Sequence, residues 1–331
     1  MSIKSINPLH DLKGHQASVI AVEYSKKSFL GEHLLASGSE DKTCRIWDLK
    51  SRKVLKGIKN LADPVTCIKF AKKNQPYIYL SSGTKVLVYD LGTEGIIITN
   101  PIRTYEFSND EINSIDINDN NKFLATADDE GIVNIIDLST HKIYKKTLKR
   151  HSNICMSVKF RAKQSWQVWS GSMDSKVYEW DFSRGLPTNI YDMSPKEQST
   201  AQMFNPPFVY DVAISHNGEW IAAGLGNCTV RLIAPPNKKQ KKHFREISLE
   251  NGHNFMVNSV SFLTGEKGLL ISASADSRVT IWDYNDDTPI VSMFQLDARL
   301  GKLNCLSAFE MNGTLFIAAA GTGELSIYQL Q

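Results

Sequence analysis

Apolar and polar residues alternate with a period of two in short runs along the whole chain. Six runs place apolar residues at their first, fourth and sixth positions. They are Val19-x-x-Val22-x-Tyr24, Val65-x-x-Ile68-x-Phe70, Ile112-x-x-Ile115-x-Ile117, Cys155-x-x-Val158-x-Phe160, Val209-x-x-Val212-x-Ile214 and Val257-x-x-Val260-x-Phe262. A seventh, Leu303 to Phe309, is one residue longer and predicts a bulge at that place. This pattern, rich in β-branched residues and separated by short polar gaps, predicts strands joined by tight turns. After the first run, Leu34-Leu35-Ala36-Ser37-Gly38-Ser39-Glu40-Asp41 leads into Arg45-Ile46-Trp47-Asp48-Leu49. The order returns as Ser170-Gly171-Ser172-Met173-Asp174 with Trp180-Asp181-Phe182, and as Ser272-Ala273-Ser274-Ala275-Asp276 with Trp282-Asp283-Tyr284. Weaker copies end at Tyr89-Asp90, Ile136-Asp137, Leu232-Ile233 and Ile327-Tyr328. The seven Trp-equivalent positions lie about 47 residues apart, the repeat length of a four-stranded unit.

Seven such units occupy residues 1–331 as one domain and predict an all-β, seven-bladed β-propeller. The third position of each inner run is small (Ala21, Cys67, Ser114, Ser157, Ser259 and Cys305), as crowding near an axis requires. Asp211 breaks that series, as a solvated channel acid or as part of a site. The seventh unit stops at Gln331, one strand short, whereas Ser2 to Leu12 is a spare segment before the first unit. Pairing that N-terminal segment with the last blade closes the ring and removes an open sheet edge.

Three units carry a polar set: His15, Ser37, Asp41 and Trp47; His151, Ser170, Asp174 and Trp180; His253, Ser272, Asp276 and Trp282. Strands in a blade alternate direction, so the loop entering the inner strand and the turn between strands two and three share a face. The imidazole then reaches the Asp on one side and passes a hydrogen bond through Ser to the indole on the other. Ser, His and Asp together suggest nucleophilic catalysis, but a set repeated three times, with its Ser inside a strand, reads as structural. Blades two, three, five and seven depart from the set at Gly83, Ile136, Asn227 and Tyr328 respectively.

Composition narrows the function classes. Apolar residues make up 42% of the chain and the net charge is +3, which excludes a disordered chain and a disulfide scaffold. Five scattered cysteines without a Cys-x-x-Cys pair fit an intracellular, reducing compartment, cytoplasm or nucleus. No apolar run reaches membrane-spanning length, so no membrane is expected. There is no phosphate-binding loop, no His-Glu-x-x-His and no metal-spaced cluster, so no enzyme, cofactor or metal is expected.

Interaction chemistry is therefore sought in loops. Phe107, Phe204, Phe255 and Arg299 fall on the face of His15, and aromatics and Arg anchor interfaces. Phe204 belongs to the longest break in the repeat, Arg184 to Pro207. Two basic runs, Lys145 to Arg150 and Lys238 to Lys242, support an alternative as a nucleic-acid- or phosphate-binding propeller. They lie on opposite faces and make no continuous stripe, so nucleic acid is the lesser expectation.

The Gly14-His15 and Gly252-His253 pairs, with the Trp-Asp pairs, resemble the WD40-repeat family over the whole chain. Residues 111–183 add a more particular likeness to one branch of it. Its motifs are Glu111-Ile112-Asn113-Ser114, Leu124-Ala125-Thr126-Ala127-Asp128-Asp129 and Lys149-Arg150-His151-Ser152-Asn153. The resemblance implies a non-enzymatic scaffold, monomeric by itself, that binds protein partners. Its finer implication is a substrate receptor of cullin-4 ubiquitin ligases, docked through the adaptor called damaged-DNA-binding protein 1. Such receptors carry a Trp-Asp-x-Arg box, which this chain matches as Trp47-Asp48-Leu49-Lys50, with Lys in the Arg place. Lys keeps the charge and loses the planar fork.

Overall fold

The computed structural model describes residues 3, 5–144, 150–164, 166–195, 205–235, 245–263, 268–286 and 288–331. Seven sheets, each with four antiparallel strands, follow one another along these residues. Their inner strands are Val19–Ser28, Val65–Phe70, Ile112–Ile117, Cys155–Phe160, Val209–Ile214, Val257–Phe262 and Leu303–Met311. Each inner strand contacts the next, and the last contacts the first, so the sheets stand radially around an axis. The expected all-β, seven-bladed propeller is the observed architecture. A short 3-10 turn, Ala298–Leu300, is the one helical element among the described residues.

Packing explains why the second strands read as unbroken apolar and small residues. Both faces of each sheet are covered by neighbouring blades, so Phe123–Asp128 and Leu269–Ser274 are buried throughout. The small residue inside Ser-Gly-Ser sets how closely blades approach. A Cβ on Gly38 would lie 2.5 Å from Val65 of the next blade, and one on Gly171 would lie 2.5 Å from Val209.

The bulge expected only in the seventh inner strand occurs in all seven, each time between the first and third positions of the run. The reason lies in the edge. An inner strand pairs on one side only, and its other side carries backbone groups facing the neighbouring inner strand. At four of the seven junctions the side chain at the third position accepts a hydrogen bond from the fourth-position N–H of the following blade. Ser114 receives Val158 N–H at 3.2 Å, Ser157 receives Val212 N–H at 3.2 Å, and Ser259 receives Leu306 N–H at 3.2 Å. Asp211 occupies the same slot and receives Val260 N–H at 3.0 Å. Its other oxygen accepts from Ser157 Oγ at 3.0 Å and from its neighbour Val212 N–H at 2.8 Å. Asp211 is therefore neither a free channel acid nor a site group; its carboxylate joins blades four, five and six.

Second-position side chains complete the lock from the donor side. Thr66 donates to Ile112 O, Asn113 to Cys155 O at 3.2 Å, Asn258 to Leu303 O, and Asn304 to Val19 O at 2.9 Å. Ile20 and Ala21 offer no such atoms between blades one and two. There the half-buried pair Lys69–Glu23, at 2.7 Å, spans the junction. Burial opposes the Lys69 charge, but Glu23 and Asp116 outweigh it and raise its pKa.

Two features lie beyond the expected plan. Ile97–Ile98, from the loop before the outer strand of blade two, pairs in parallel with the outer strand of blade one, Lys53–Ile58. Lys56 fixes that crossing by donating to the carbonyls of Thr93 and Gly95. The second feature is the clasp over the seam. Ile6–Asp11 pairs antiparallel with Leu325–Leu330 as the fourth strand of blade seven. Ser5 and Gln331 exchange backbone hydrogen bonds at its end. Asp11 also accepts from Ser326 Oγ at 2.7 Å and pairs with Arg299 at 3.1 Å.

Removal of residues 1–9 strips the seam of most of this pairing and exposes the edge Leu325–Leu330. The truncated chain is expected to aggregate or to lose its cooperative thermal transition. A soluble truncation melting as the full chain does, followed by circular dichroism, would contradict closure by this strand.

Candidate interaction surfaces

Loops entering the inner strands and turns between the second and third strands share one face, called upper here. Turns between the first and second, and between the third and fourth, form the lower face. The polar sets sit just under the upper face. In blade one, His15 Nδ1 lies 2.9 Å from Asp41 Oδ2 and Nε2 lies 2.8 Å from Ser37 Oγ, which accepts the Trp47 indole N–H at 2.8 Å. Blade four repeats this with His151, Asp174, Ser170 and Trp180 at 3.0, 2.8 and 2.8 Å. The carboxylate fixes the proton on Nδ1, so the Ser hydroxyl donates to Nε2 and receives the indole N–H. Gln16 and Ser152 N–H groups bind the same carboxylates at 3.0 Å, tying the entry loops to the turns.

Blade six differs from the expected set. His253 reaches Ser272 at 2.6 Å and Trp282 donates to Ser272 at 2.7 Å; Asp276 accepts from Arg278 N–H, as Asp41 and Asp174 accept from Thr43 and Lys176 N–H, but makes no bond to His253. His253 Nδ1 is buried without a partner among the described residues. The chain of bonds therefore stops at the imidazole. Ser37, Ser170 and Ser272 are each 0% exposed, so none can meet a substrate as a nucleophile. Among the described residues no group of His, Cys, Asp and Glu is arranged to hold a metal.

The Asp of each Trp-Asp pair has a different duty, capping the turn to the outer strand. Asp48 accepts from Lys50 N–H, Ser51 N–H and Ser51 Oγ, and Asp181 accepts from Ser183 in the same way. Burial disfavours the Asp48 charge, but these Ser51 and Lys50 bonds outweigh it and hold the pKa below the usual carboxylate range. Trp47 is only 2% exposed. Of the three residues expected at an adaptor contact, Trp47, Asp48 and Lys50, only Lys50 is exposed.

The upper-face candidates fall into three kinds. Phe107, Phe255 and Arg150 are exposed, with Phe107 resting on the Tyr105 ring at 6.2 Å. Arg299 spends its charge internally on Asp11, Asp297 and Glu324 as part of the seam, which removes it as a free anchor. Phe204, Lys145 to Lys149 and Lys238 to Lys242 lie outside the described residues. Sequence reasoning missed an acidic crowding on this face: burial first, and then the charges of Asp129, Asp63 and Asp110, raise the Glu111 pKa. It also missed a basic lower face at blades one and two, where Lys26, Lys27, Lys50, Arg52 and Lys72 are exposed. The Lys26-Lys27 and Lys72-Lys73 pairs were the available signal, falling in corresponding turns of adjacent units.

The family model described as WD domain, G-beta repeat matches residues 6–48, 99–137, 143–181, 200–233 and 244–283. The chain belongs to the WD40-repeat family. The unmatched stretches include most of blades two and seven, which lack the Trp and the full polar set. This WD40 chain is 27% identical over 97% of its length to a WD repeat-containing protein 53 homolog of Dictyostelium discoideum, covering 94% of that protein. It is 22% identical over 81% of its length to the target of rapamycin complex subunit wat1 of Schizosaccharomyces pombe, covering 78% of it. Over 50% of its length it is 26% identical to the E3 ubiquitin-protein ligase COP1 of Arabidopsis thaliana, of which that match covers 22%.

The incomplete set in this WD40 chain has a pH signature. Burial, aided by Arg278 and only partly offset by Asp276, pushes the His253 pKa from 6.5 down to about 4. Between these values the unfolded chain binds the extra proton, so stability is full above about pH 6.5 and falls as pH drops toward 4. The loss is on the order of 3 kcal/mol. Denaturant midpoints across pH 4 to 7 are expected to show a shallower acid decline in His253→Gln than in the parent. Equal slopes would contradict a neutral, buried His253.

Proposed function

We propose that this propeller is a non-enzymatic protein-recognition scaffold and, more finely, a substrate receptor that docks a cullin-4 ligase adaptor through its lower face. The carrying observation is the cleft beside the Trp-Asp turn of blade one. It measures about 170 Å³, is floored by Leu49, Phe309 and Ile327, and is rimmed by Leu9, Lys50 and Arg52. Leu9 is an exposed apolar residue on the closing strand. Apolar floor with a cationic rim is the composition of a protein-docking surface. The adaptor is the one called damaged-DNA-binding protein 1.

The box implied by the family ends in Arg, and this chain has Lys50 there. The same turn supplies a guanidinium two residues later. Arg52 adopts a left-handed backbone (φ 61°) and lines the same cleft as Lys50. The turn geometry comes from Asp48, whose backbone carbonyl receives Arg52 N–H at 2.7 Å. In this reading Trp47 and Asp48 hold the turn, while Lys50 and Arg52 make the contact. The ubiquitin-ligase name of the COP1 relative supports the direction of the proposal, on half of the chain.

Co-precipitation of the tagged full chain with the purified adaptor tests it. The parent is expected to bind. The double variant Lys50→Ala/Arg52→Ala is expected to lose about tenfold or more in affinity with unchanged melting. Absence of binding by the parent, or equal binding by the variant, would contradict docking at this cleft.

A further inference from the structure

A second, larger cleft opens on the lower face between the first-to-second-strand turns of blades one and two. It measures about 470 Å³ and is lined by Tyr24, Lys26, Lys27, Glu32, His33 and Lys72. We infer that this cleft binds an extended segment of a partner protein rich in Asp and Glu. The inference deepens the protein-recognition reading by naming the chemistry of one partner segment, and no residue lining this cleft lines the adaptor cleft.

Charge is the first argument. Lys26, Lys27 and Lys72 have no ion pair among the described residues, whereas Lys69, Lys85, Arg161, Arg231 and Arg299 all do. Three ammonium groups in one concavity, with Glu32 as the single carboxylate lining it, repel one another until an anion arrives. The walls come from two separate blades, so the cations stand on both sides of the opening. An extended chain presents alternate side chains to opposite sides, which matches carboxylates to both rows.

The cleft's floor is rigid, which limits the ordering cost of binding. Tyr24 stacks on Phe309 at 4.4 Å, and its hydroxyl contacts His33 Nδ1 at 2.7 Å and donates to Glu310 O at 3.2 Å. His33 is buried and holds a left-handed backbone (φ 57°) in this turn. Below the cleft, Glu23 and Lys69 pair across the junction that lacks the side-chain-to-backbone locks of the other blades. These contacts fix the relative position of the two lysine-bearing turns.

The chemistry favours a peptide over nucleic acid. The aromatic side chain lining the cleft is Tyr24, and its stacking on Phe309 withdraws one ring face, leaving no platform of successive bases. Glu32 at the rim adds repulsion to a continuous phosphate backbone, while a spaced carboxylate ladder can pass it.

Fluorescence anisotropy with the full chain tests the inference, using as probe a short labelled peptide of alternating Asp and Glu. The parent is expected to bind it in a salt-sensitive way and to ignore the matched Asn and Gln peptide. The variant Lys26→Glu/Lys27→Glu/Lys72→Glu is expected to lose about tenfold or more in affinity. The opposite-face control Lys13→Glu/Lys302→Glu is expected to bind nearly as the parent, and circular dichroism melts check that both variants fold. Equal binding of both peptides, no acidic-peptide binding, or equal loss in both variants overturns the inference. An oligouridine probe that binds more tightly than the peptide and is lost in the same triple variant also overturns it. Adaptor binding retained through Lys50 and Arg52 while the acidic peptide fails would defeat this inference and leave the docking proposal standing.

Discussion

The inner strands have one edge that no strand of their own sheet covers, and the structure depends on how those backbone groups are satisfied. Fourth-position N–H groups are met by hydroxyl or carboxylate oxygens of the preceding blade, and first-position carbonyls by its Thr or Asn side chains. The bulge recurs in every blade, and among the described residues such bonds are made at every junction but that of blades one and two, which the Lys69–Glu23 pair spans. Each bond contributes modestly, but an unmet buried donor costs about 1–3 kcal/mol. The outer edge of the last blade poses the same problem, answered by Ile6–Asp11 with the Arg299 clasp.

Fold and strand order were readable because burial imposes a period. Second strands are covered on both faces and so carry apolar and small residues without alternation, and the repeat of about 47 residues follows from the four strands of each blade. The polar set in blades one and four was likewise visible in spacing. Blade six was not fully readable, because it carries the same residues at the same spacing and loses only the bond between His253 Nδ1 and the Asp276 carboxylate, which leaves no trace in composition. Asp211 looked anomalous from sequence, since its three bonds run to residues far apart in the chain or set by the bulge. The parallel strand Ile97–Ile98 on blade one escaped because two residues carry no period.

The site was less readable than the fold. Surface cations give no period, and their meaning depends on which turns share a face. Lys26, Lys27 and Lys72 become a cleft only when blades one and two stand side by side. Arg299 was a reasonable anchor by residue type, yet three carboxylates consume it. The two faces also differ in sign: the upper face crowds Asp63, Asp110, Glu111 and Asp129, and the lower face of blades one and two gathers lysine and arginine.

Amide hydrogen exchange in Asp211→Ala is the most direct measurement of the edge-satisfaction account. Loss of the carboxylate removes the acceptor of Val260 N–H and leaves Ser157 Oγ as the remaining acceptor of Val212 N–H. Exchange at Val260 is expected to accelerate most, Val212 less, with the unfolding free energy lowered by about 2–3 kcal/mol and the denaturant midpoint lowered with it. Unchanged protection at Val260, with an unchanged midpoint, would contradict the view that side chains of one blade hold the inner edge of the next.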